Sequence, residues 1–402
     1  MKPGPWSLDP NITFLNHGSF GACPEPVLAV QSEWRARVER EPVAVLGREL
    51  ETLLGAAREE IGRFLGADAD DLAFVPNATT GVNTVLRSLS FEAGDELLTT
   101  DHDYNAVINA MSFVASGTGA RVVITHVPLA PADPREVTES ILAAVTSRTR
   151  LAVISHVTSP TALVFPIAGI VGALADRGID TLVDAAHAPG MLPIDIGALG
   201  AAYWTGNAHK WLCAPKGAAI LHVRRDRQAT IRPLVISHGA NDRRTDRTRF
   251  RLEFDWTGTS DPTPFLSIPA AIRFVEGLAP GGWPEVMAAN RSLALAGRDA
   301  IASRLGIAPG AGEELIGAMA AVPLPIPLEG ADAAAEELRR RLFDEDRIEV
   351  PVHGWPVPAA RAPGAGPSGV VIRVSAQRYN ELADYERLAD ALAVRLPAMT
   401  PR

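Results

Sequence analysis

Short apolar runs alternate with stretches of helical spacing between residues 72 and 223, and this alternation constrains the fold more than any other feature. Runs such as LAVIS (151–155) and TLVD (181–184) are apolar almost without interruption. Strands of that kind are buried on both faces and belong to parallel sheets covered by helices. The chain is therefore predicted to be an α/β protein with a mostly parallel central sheet. The predicted strands are 72–75, 96–100, 121–126, 151–156, 181–183 and 217–223, the last returning at an edge of the sheet.

The rest of the chain predicts flanking helices and a second, smaller domain. Residues 24–65 predict two helices separated by a Glu-Pro pair at 41–42, and 283–305 predicts a long connecting helix. Strands near 318–322 and 370–374 and a closing helix at 381–396 are expected beyond it. We therefore expect an N-terminal arm (1–20), a large domain (21–280) and a small α+β C-terminal domain (281–402).

Two segments are predicted to lie outside regular structure. The segment between 226 and 255 is polar and rich in arginine, which indicates an exposed excursion from the large domain. The segment 351–369 is rich in Pro, Gly and Ala, which is typical of a mobile loop.

Charge and composition argue against several classes of partner. The chain has 402 residues with 38 basic and 47 acidic side chains, and its basic residues form no run that would attract nucleic acid or an anionic membrane. Two cysteines, Cys23 and Cys213, are too few for a disulfide framework and favour a reducing compartment. The sequence has neither an apolar N-terminal segment nor an apolar run of ~18 residues. We expect a cytoplasmic protein with no nucleic-acid or membrane partner.

The first candidate binding element is NATTG (77–81), at the turn from the first predicted strand into a helix. Free N–H groups and the helix dipole at such a turn attract an anion, and small hydroxyl side chains allow it to approach. The same residues also fit an ordinary Thr cap of a helix. Both interpretations remain open from this segment alone.

Two ionisable groups follow later strands. Asp184 ends an apolar strand, so its carboxylate needs a partner, either a protonated ring nitrogen or a structural salt bridge. Lys210 lies beside His209 and Trp211, where its amine could be nucleophilic or simply solvated. An anion site, a strand-end Asp and a Lys in this order are typical of pyridoxal phosphate (PLP) enzymes. In such enzymes the phosphate, the pyridine nitrogen and the aldehyde each need a different protein group.

Eight segments resemble motifs of the class V aminotransferase family, whose members are fold-type-I PLP enzymes. The resemblance extends over nearly the whole chain and is closest to isopenicillin N epimerase-like proteins, a branch that includes sulfoxide C–S lyases. It implies PLP as cofactor, a small amino-acid-like substrate, and a homodimer with shared active sites. The segments are LNHGSFG (15–21), PNATTGVN (76–83), DHDYNA (101–106), SHVTSPTALVFP (155–166), VDAAHAPG (183–190), GNAHKWLCAPKG (206–217), GTSDPTP (258–264) and IRVSAQRYN (372–380).

The resemblance also assigns cofactor roles at matching positions. Lys210 would form the Schiff base and move the α-proton, and Asp184 would keep the pyridine nitrogen protonated. Relatives often carry Ser where this chain has Asn207, so a phosphate contact there is open. The other implied contacts are Ala78 (through its N–H), Thr79 and His209 with the phosphate, Thr259 with the phosphate of the neighbouring subunit, and Ser159 and His187 near the ring O3′.

Four residues are candidate substrate contacts. Arg373 falls where the family binds the α-carboxylate, a task suited to a guanidinium fork. Asn16, His17 and Arg48 are expected to line the entrance, because the family places its N-terminal arm near the site. Each of these three also fits an ordinary polar surface position.

The type of reaction depends on the fate of the quinonoid that forms when the α-proton is lost. Reprotonation on the other face gives an epimerase, loss of a β-group a lyase, and protonation at C4′ an aminotransferase. Tyr104, where desulfurase-like relatives place a His near the ring, would either stack on the ring or act as the acid/base opposite Lys210. We predict an epimerase-like reaction, with cysteine sulfoxide (C–S) lyase or other β-elimination as the alternative, then transamination.

Two functions of other classes are also open. A metal hydrolase would use DHD (101–103) with His156 or His187, but adjacent residues on a strand point to opposite sides, which is poor ligand geometry. No metal is therefore predicted. A non-catalytic binding protein would have no need of Lys210, Asp184 and Arg373 together.

Overall fold

The computed structural model describes residues 4–398, and its central element is a seven-stranded sheet. The first three residues of the predicted arm and the last four of the predicted C-terminal domain lie outside this range. The predicted α/β architecture with a mostly parallel sheet is confirmed. Its strands are β2 (Leu72–Val75), β3 (Glu96–Thr100), β4 (Arg121–Thr125), β5 (Thr149–Ser155), β6 (Asp180–Asp184), β7 (Tyr203–Asn207) and β8 (Ala219–Val223), after a short β1 (Thr13–Phe14) outside the sheet.

The order of the strands is β2-β8-β7-β6-β5-β3-β4, and the five strands from β7 to β4 run parallel. The prediction that residues 217–223 return at an edge is wrong. All five residues of β8 are buried, and β8 pairs antiparallel with β7 on one side and β2 on the other. Apolar strands of this kind need neighbours on both sides, and the shorter β2 takes the edge instead.

Helices pack against the seven-stranded sheet and against a smaller sheet in the C-terminal region. The predicted pair within 24–65 is present, with a π-helical segment, Val43–Glu49, between its members. The helices are α1 (His17–Phe20), α2 (Glu25–Arg40), α3 (Leu50–Leu65), α4 (Ala78–Ser88), α5 (Asn105–Thr118), α6 (Pro134–Ala143), α7 (Ile167–Ala175), α8 (Ile196–Leu199), α9 (Arg249–Phe254), α10 (Thr263–Leu266), α11 (Ile268–Glu276), α12 (Gly282–Leu305), α13 (Ala331–Asp344) and α14 (Leu382–Arg395). None of the helices found in residues 4–398 is long and apolar enough to cross a membrane.

A separate antiparallel sheet forms in the C-terminal region, in the order β11-β12-β9. Its strands are β9 (Met319–Leu324), β11 (Val352–Trp355) and β12 (Gly369–Ser375). The arm is joined to this region, because β1 pairs in parallel with β10 (Ile348–Glu349). The boundaries at 20/21 and 280/281 stay predictions.

Both segments predicted to lack regular structure are partly ordered. The loop expected at 351–369 begins with β11, whose Trp355 is buried. A helical turn follows at 358–360, where the Ala359 N–H donates to Oδ1 of Asn105, the first residue of α5 (3.0 Å). The excursion expected at 226–255 ends in α9, whose residues 250–254 are buried. In each case apolar side chains spaced among polar or turn-forming residues reach the core.

Gly297 tests the packing between α12 and α14. A Cβ at this position would lie 2.4 Å from Cδ1 of Tyr385, whose ring is buried, whereas a Cβ at Gly55 in α3 would meet no atom within 4 Å. We expect Gly297→Ala to lower the free energy of unfolding by about 1–3 kcal/mol through overpacking. Gly55→Ala should raise it by up to about 1 kcal/mol, because alanine favours a helix. Chemical denaturation measures both, and equal effects would contradict the packing.

Candidate active site

A cavity of about 420 Å³ lies at the carboxyl edge of the central sheet. Strands β5, β6 and β7 end there with Ser155, Asp184 and Asn207, all of which line it. Open α/β sheets bind their ligands at this edge. Nine of the predicted site residues line the cavity: Ala78, Thr79, Tyr104, Ser159, Asp184, His187, His209, Lys210 and Arg373.

Lys210 lies in the turn after β7, and its amine faces the cavity. Desolvation lowers the pKa of Lys210 to about 7; the nearby Arg373 cation adds to this shift and Asp184 opposes it. Its Nζ lies 3.1 Å from Nε2 of His187, and burial keeps the pKa of that imidazole well below its usual range. A neutral amine is therefore available near neutral pH, which is the state that attacks a carbonyl carbon.

Asp184 is the last residue of β6 and is buried at the floor of the cavity. Burial raises its pKa to about 6; the Ala186 N–H bond (2.9 Å) and the Lys210 cation oppose this rise, and Asp103 contributes to it. Asp184 forms no ion pair among the described residues. A buried carboxylate in this state is suited to a cationic ring nitrogen.

The start of α4 forms another wall of the cavity. Asn77 caps this helix by accepting from the Thr80 N–H (2.8 Å), so the cap is this asparagine and not a threonine as the plain interpretation expects. The Ala78 N–H donates to Oδ1 of Asn207 at 2.8 Å, so the free N–H expected there is already bonded. The side chain of Asn207, whose contact the sequence left open, therefore serves the backbone at the start of α4.

His209 is the other predicted phosphate contact from the lysine turn. Its Nδ1 lies 2.9 Å from the carbonyl oxygen of Ala218, which fixes the ring. Burial lowers the pKa of His209 to about 4, and the Ala218 bond opposes that shift. The ring is therefore neutral, with its proton on Nδ1, and an anion bound beside it would favour a second proton on Nε2.

Arg373 comes from β12 and is buried. Its Nη1 donates to the Ser159 carbonyl and its Nη2 to Oγ of Ser19 (3.0 Å), while its Nε has no partner in the described part of the chain. No carboxylate pairs with this cation within residues 4–398. Burial lowers the pKa of Arg373 to about 10, yet it stays charged at neutral pH. An incoming carboxylate is its natural partner.

Ser159 contacts this arginine rather than standing free near a ring oxygen. Its carbonyl accepts from Nη1, and its Oγ lies 3.4 Å from the same nitrogen. Ser19, which the sequence analysis did not select, shares in holding the guanidinium. A small hydroxyl residue inside the HGSFG segment was the available signal.

Four predicted residues do not reach the cavity. Asn16 bonds Glu349 (3.1 Å), and His17 is fully buried behind the lysine turn, so neither lines an entrance. Arg48 and Thr259 lie together on a second hollow of about 740 Å³. None of these four side chains lines the Lys210 cavity of its own chain, and their predicted roles stay predictions.

The two aspartates of the DHD segment (101–103) bond groups of the central sheet and the chain beside it. Asp103 accepts from Thr99, Thr100 and Ser155, and Asp101 pairs with His126 at 2.6 Å. Within residues 4–398 no three His, Cys, Asp or Glu side chains are arranged to hold a metal ion.

Comparison with known proteins agrees with this fold. The profile of the family described as aminotransferase class-V matches residues 22–307. An isopenicillin N epimerase of Amycolatopsis lactamdurans is 38% identical over 96% of both chains, and a probable chloroplastic L-cysteine desulfhydrase of Arabidopsis thaliana is 30% identical over 96% of this chain and 83% of that one. A solved variant of the enzyme C-DES, with glycine linked to its PLP cofactor, superimposes with a TM-score of 0.76 at 21% identity, covering 96% and 97%.

The fold and the cavity define a PLP enzyme. The chain belongs to the class-V aminotransferase family, and its cofactor is pyridoxal 5′-phosphate. The residues present fit this group: an amine of lowered pKa, a buried carboxylate without an ion-pair partner in residues 4–398, and a helix start lie in one cavity. The buried Nδ1 of His187 also lacks a partner among the described residues, which is the state of a polar atom awaiting a ligand or water.

The lowered pKa of Lys210 predicts how the apoprotein captures its cofactor. The rate of covalent capture should rise with pH with a midpoint near 7, because the neutral amine forms there and not near 10.5. Absorbance after mixing apoprotein with PLP at a series of pH values measures this rate. Lys216→Arg, which alters another lysine near the turn, should keep the midpoint, and Lys210→Ala should abolish capture. A midpoint near 10 would contradict the burial argument.

Proposed function

We propose that the protein is an epimerase-like PLP enzyme that acts at the α-carbon of an amino acid or amino-acid-derived substrate. One observation carries this proposal. Arg373, a buried cation without a carboxylate partner among the described residues, lines the same cavity as the amine of Lys210. An α-amino acid brings a carboxylate to the first and an α-proton to the second.

When bound, PLP supplies an aldehyde that bonds to an amine and a ring that withdraws electrons from the α-carbon. We assign the covalent bond to Lys210 and the ring nitrogen to Asp184. Thr79 would hold the phosphate through its hydroxyl. His209 would join it as an imidazolium, because its Nδ1 already donates to the Ala218 carbonyl and only a protonated Nε2 can donate to a phosphate oxygen. Asn207 would join them through its amide nitrogen, since its Oδ1 is bonded to the Ala78 N–H. This replaces the Ala78 contact that the resemblance implies.

Proton movement at the α-carbon requires groups that are neutral or easily protonated. Lys210 Nζ takes the α-proton, and the neutral His187 ring at 3.1 Å holds the amine in place through Nε2. Arg373 fixes the carboxylate, which limits rotation about the α-carbon. Tyr104, a partly exposed cavity residue at the start of α5, is our candidate for returning a proton on the face opposite Lys210.

The similarity to isopenicillin N epimerase, 38% over nearly the full chain, supports epimerisation over the alternatives. The second candidate is C–S lyase or other β-elimination chemistry, which the 30% identity to a probable L-cysteine desulfhydrase favours. The same lysine and tyrosine would serve that reaction as base and leaving-group acid. Transamination ranks after both.

Persulfide-forming cysteine desulfuration fits the chain poorly. It needs a reactive thiol on a mobile loop, but the segment 351–369 contains no cysteine. Cys23 and Cys213 are buried free thiols; desolvation raises the pKa of Cys23 to about 12 and that of Cys213 further. Such thiols are inert and unpaired, which also supports the cytoplasmic location predicted from the sequence.

The roles of the two faces are tested by incubating the enzyme with amino acids in deuterated water. The wild type should incorporate α-deuterium and invert configuration. In Tyr104→Phe we expect deuterium exchange to continue while inversion falls at least ~10²-fold, because one proton-transfer group is lost. NMR and chiral chromatography measure exchange and inversion separately.

Lys210→Ala is the control for that experiment and should lose both exchange and inversion. Release of pyruvate from the wild type would instead assign β-elimination, and formation of the substrate's own keto acid would assign transamination. Inversion at the wild-type rate in Tyr104→Phe would reduce Tyr104 to a residue that stacks on the ring.

We also propose a homodimer in which Thr259 completes the partner's site. Thr259 is exposed and lies away from the Lys210 cavity of its own chain. Exposed apolar side chains support an interface, because a surface in contact with water rarely carries a group of them unless a partner covers it. They are Phe20 beside the cavity, Val43 beside the second hollow, and the run Leu234, Val235 and Ile236.

Complementation tests the shared site. Thr259→Asp should weaken cofactor binding by repelling the phosphate, and Lys210→Ala removes the amine. If the site is shared, co-expression of the two variants should restore about a quarter of wild-type activity, because half of the dimers then carry one intact site. Activity of the unfractionated co-expressed protein measures this, and isolated mixed dimers should show about half of the wild-type activity. No gain over the separate variants, or a monomer in sedimentation, would contradict the proposal.

A further inference from the structure

A fully buried imidazole lies directly behind the lysine turn. Nε2 of His17 is 3.1 Å from the backbone carbonyl oxygen of Lys210, and its ring packs at 4.8 Å, centroid to centroid, on Trp211. On its other side, Nδ1 is 2.7 Å from the Tyr379 hydroxyl and 3.3 Å from the Ala22 N–H. The His17 side chain therefore contacts the lysine turn at the Lys210 carbonyl and at the Trp211 ring, and it does not line the cavity.

The contacts of His17 fix which nitrogen carries the proton. A backbone N–H can only donate, so Nδ1 must accept from Ala22 and holds no proton. The proton is then on Nε2, which donates to the Lys210 carbonyl, and the Tyr379 hydroxyl donates to Nδ1 as well. Desolvation lowers the pKa of His17 to about 3, in agreement with a neutral ring.

The helix that begins with His17 also reaches the arginine. The Gly18 N–H donates to Oγ of Ser375 (3.0 Å) on β12, and Oγ of Ser19 accepts from Nη2 of Arg373 on the same strand (3.0 Å). Three successive residues of α1 therefore bond the lysine turn and the arginine strand. A Cβ at Gly18 would lie 2.4 Å from Sδ of Met319, so a larger residue would not fit here unless neighbouring atoms moved.

We infer that His17 is a positioning residue, which fixes the Lys210 backbone through the carbonyl and sets the separation of the amine from Arg373. This inference rests on the proposed role of Lys210 as the cofactor lysine. Reacting groups must be held within a fraction of an ångström, and misplacement by about 1 Å costs on the order of 10²-fold in rate. His17 acts only through Lys210, so its loss should slow chemistry without weakening substrate binding.

Two amide substitutions separate the two sides of the ring. In His17→Asn, the side-chain oxygen can take the place of Nδ1 and accept from Ala22, but the donor to Lys210 is lost. In His17→Gln, the amide nitrogen can take the place of Nε2 and keep that donor. The readouts are the rate constant for covalent capture of PLP by apoprotein, and kcat and KM for α-deuterium exchange by the holoenzyme.

We expect His17→Asn to slow capture and lower kcat at least ~10-fold while KM stays within about twofold, and His17→Gln to stay within about twofold of the wild type throughout. Tyr385→Phe, which removes another buried donor to a backbone carbonyl, that of Ser375, is the control for stability and should leave both rates unchanged. Equal behaviour of the two His17 variants, or an equal loss in Tyr385→Phe, would overturn the inference. A wild type that forms no covalent bond to PLP at Lys210 would overturn the proposed function, and the inference with it.

Discussion

Three ionisable side chains, Lys210, Asp184 and Arg373, are withdrawn from water around one cavity, and the site depends on their burial. Asp184 and Arg373 form no ion pair among the described residues, and the pKa of the Lys210 amine is lowered to about 7. Burying charge without full compensation is unfavourable, so the surrounding fold must supply the stability that this arrangement costs. A cofactor and a substrate of complementary charge relieve this cost when they bind. The same burial that destabilises the site therefore favours its ligands.

The cavity is assembled from regions far apart in the chain. Parallel strands bring the ends of β5, β6 and β7 to one edge, while Arg373 arrives from the separate antiparallel sheet and the arm supplies Ser19. The arm also bonds both the lysine turn and β12. These contacts make the relative position of the two sheets part of the active-site geometry.

Much of the sheet and the cofactor site could be predicted because their signals are local. Uninterrupted apolar strands indicate burial, and residues at their carboxyl ends are bound to meet at one edge, which brings Lys210, Asp184 and Thr79 together. Strand order is different, since nothing within residues 219–223 says that β2 will cover their outer side.

The errors at single residues have a similar cause. His17 is a polar residue in the arm, which is why an entrance position was predicted for it. Its partners, Lys210 and Tyr379, are separated from it by about half of the chain or more. The Ala78 N–H is bonded by Asn207, 129 positions away. Side chains that satisfy such distant groups cannot be recognised from neighbouring letters, and only the folded chain shows which polar atoms remain available.

The pairing of β1 with β10 has a consequence for the order in which the protein matures. Residues 13–14 leave the ribosome long before their partners at 348–349 have been made. Until then the arm has no strand to join, and its imidazole and its serine lack Tyr379 and Arg373, to which they respectively bond. A nascent chain can thus complete the central sheet before its arm is in place, and the site becomes ready for its cofactor only after β10 and β12 have been translated.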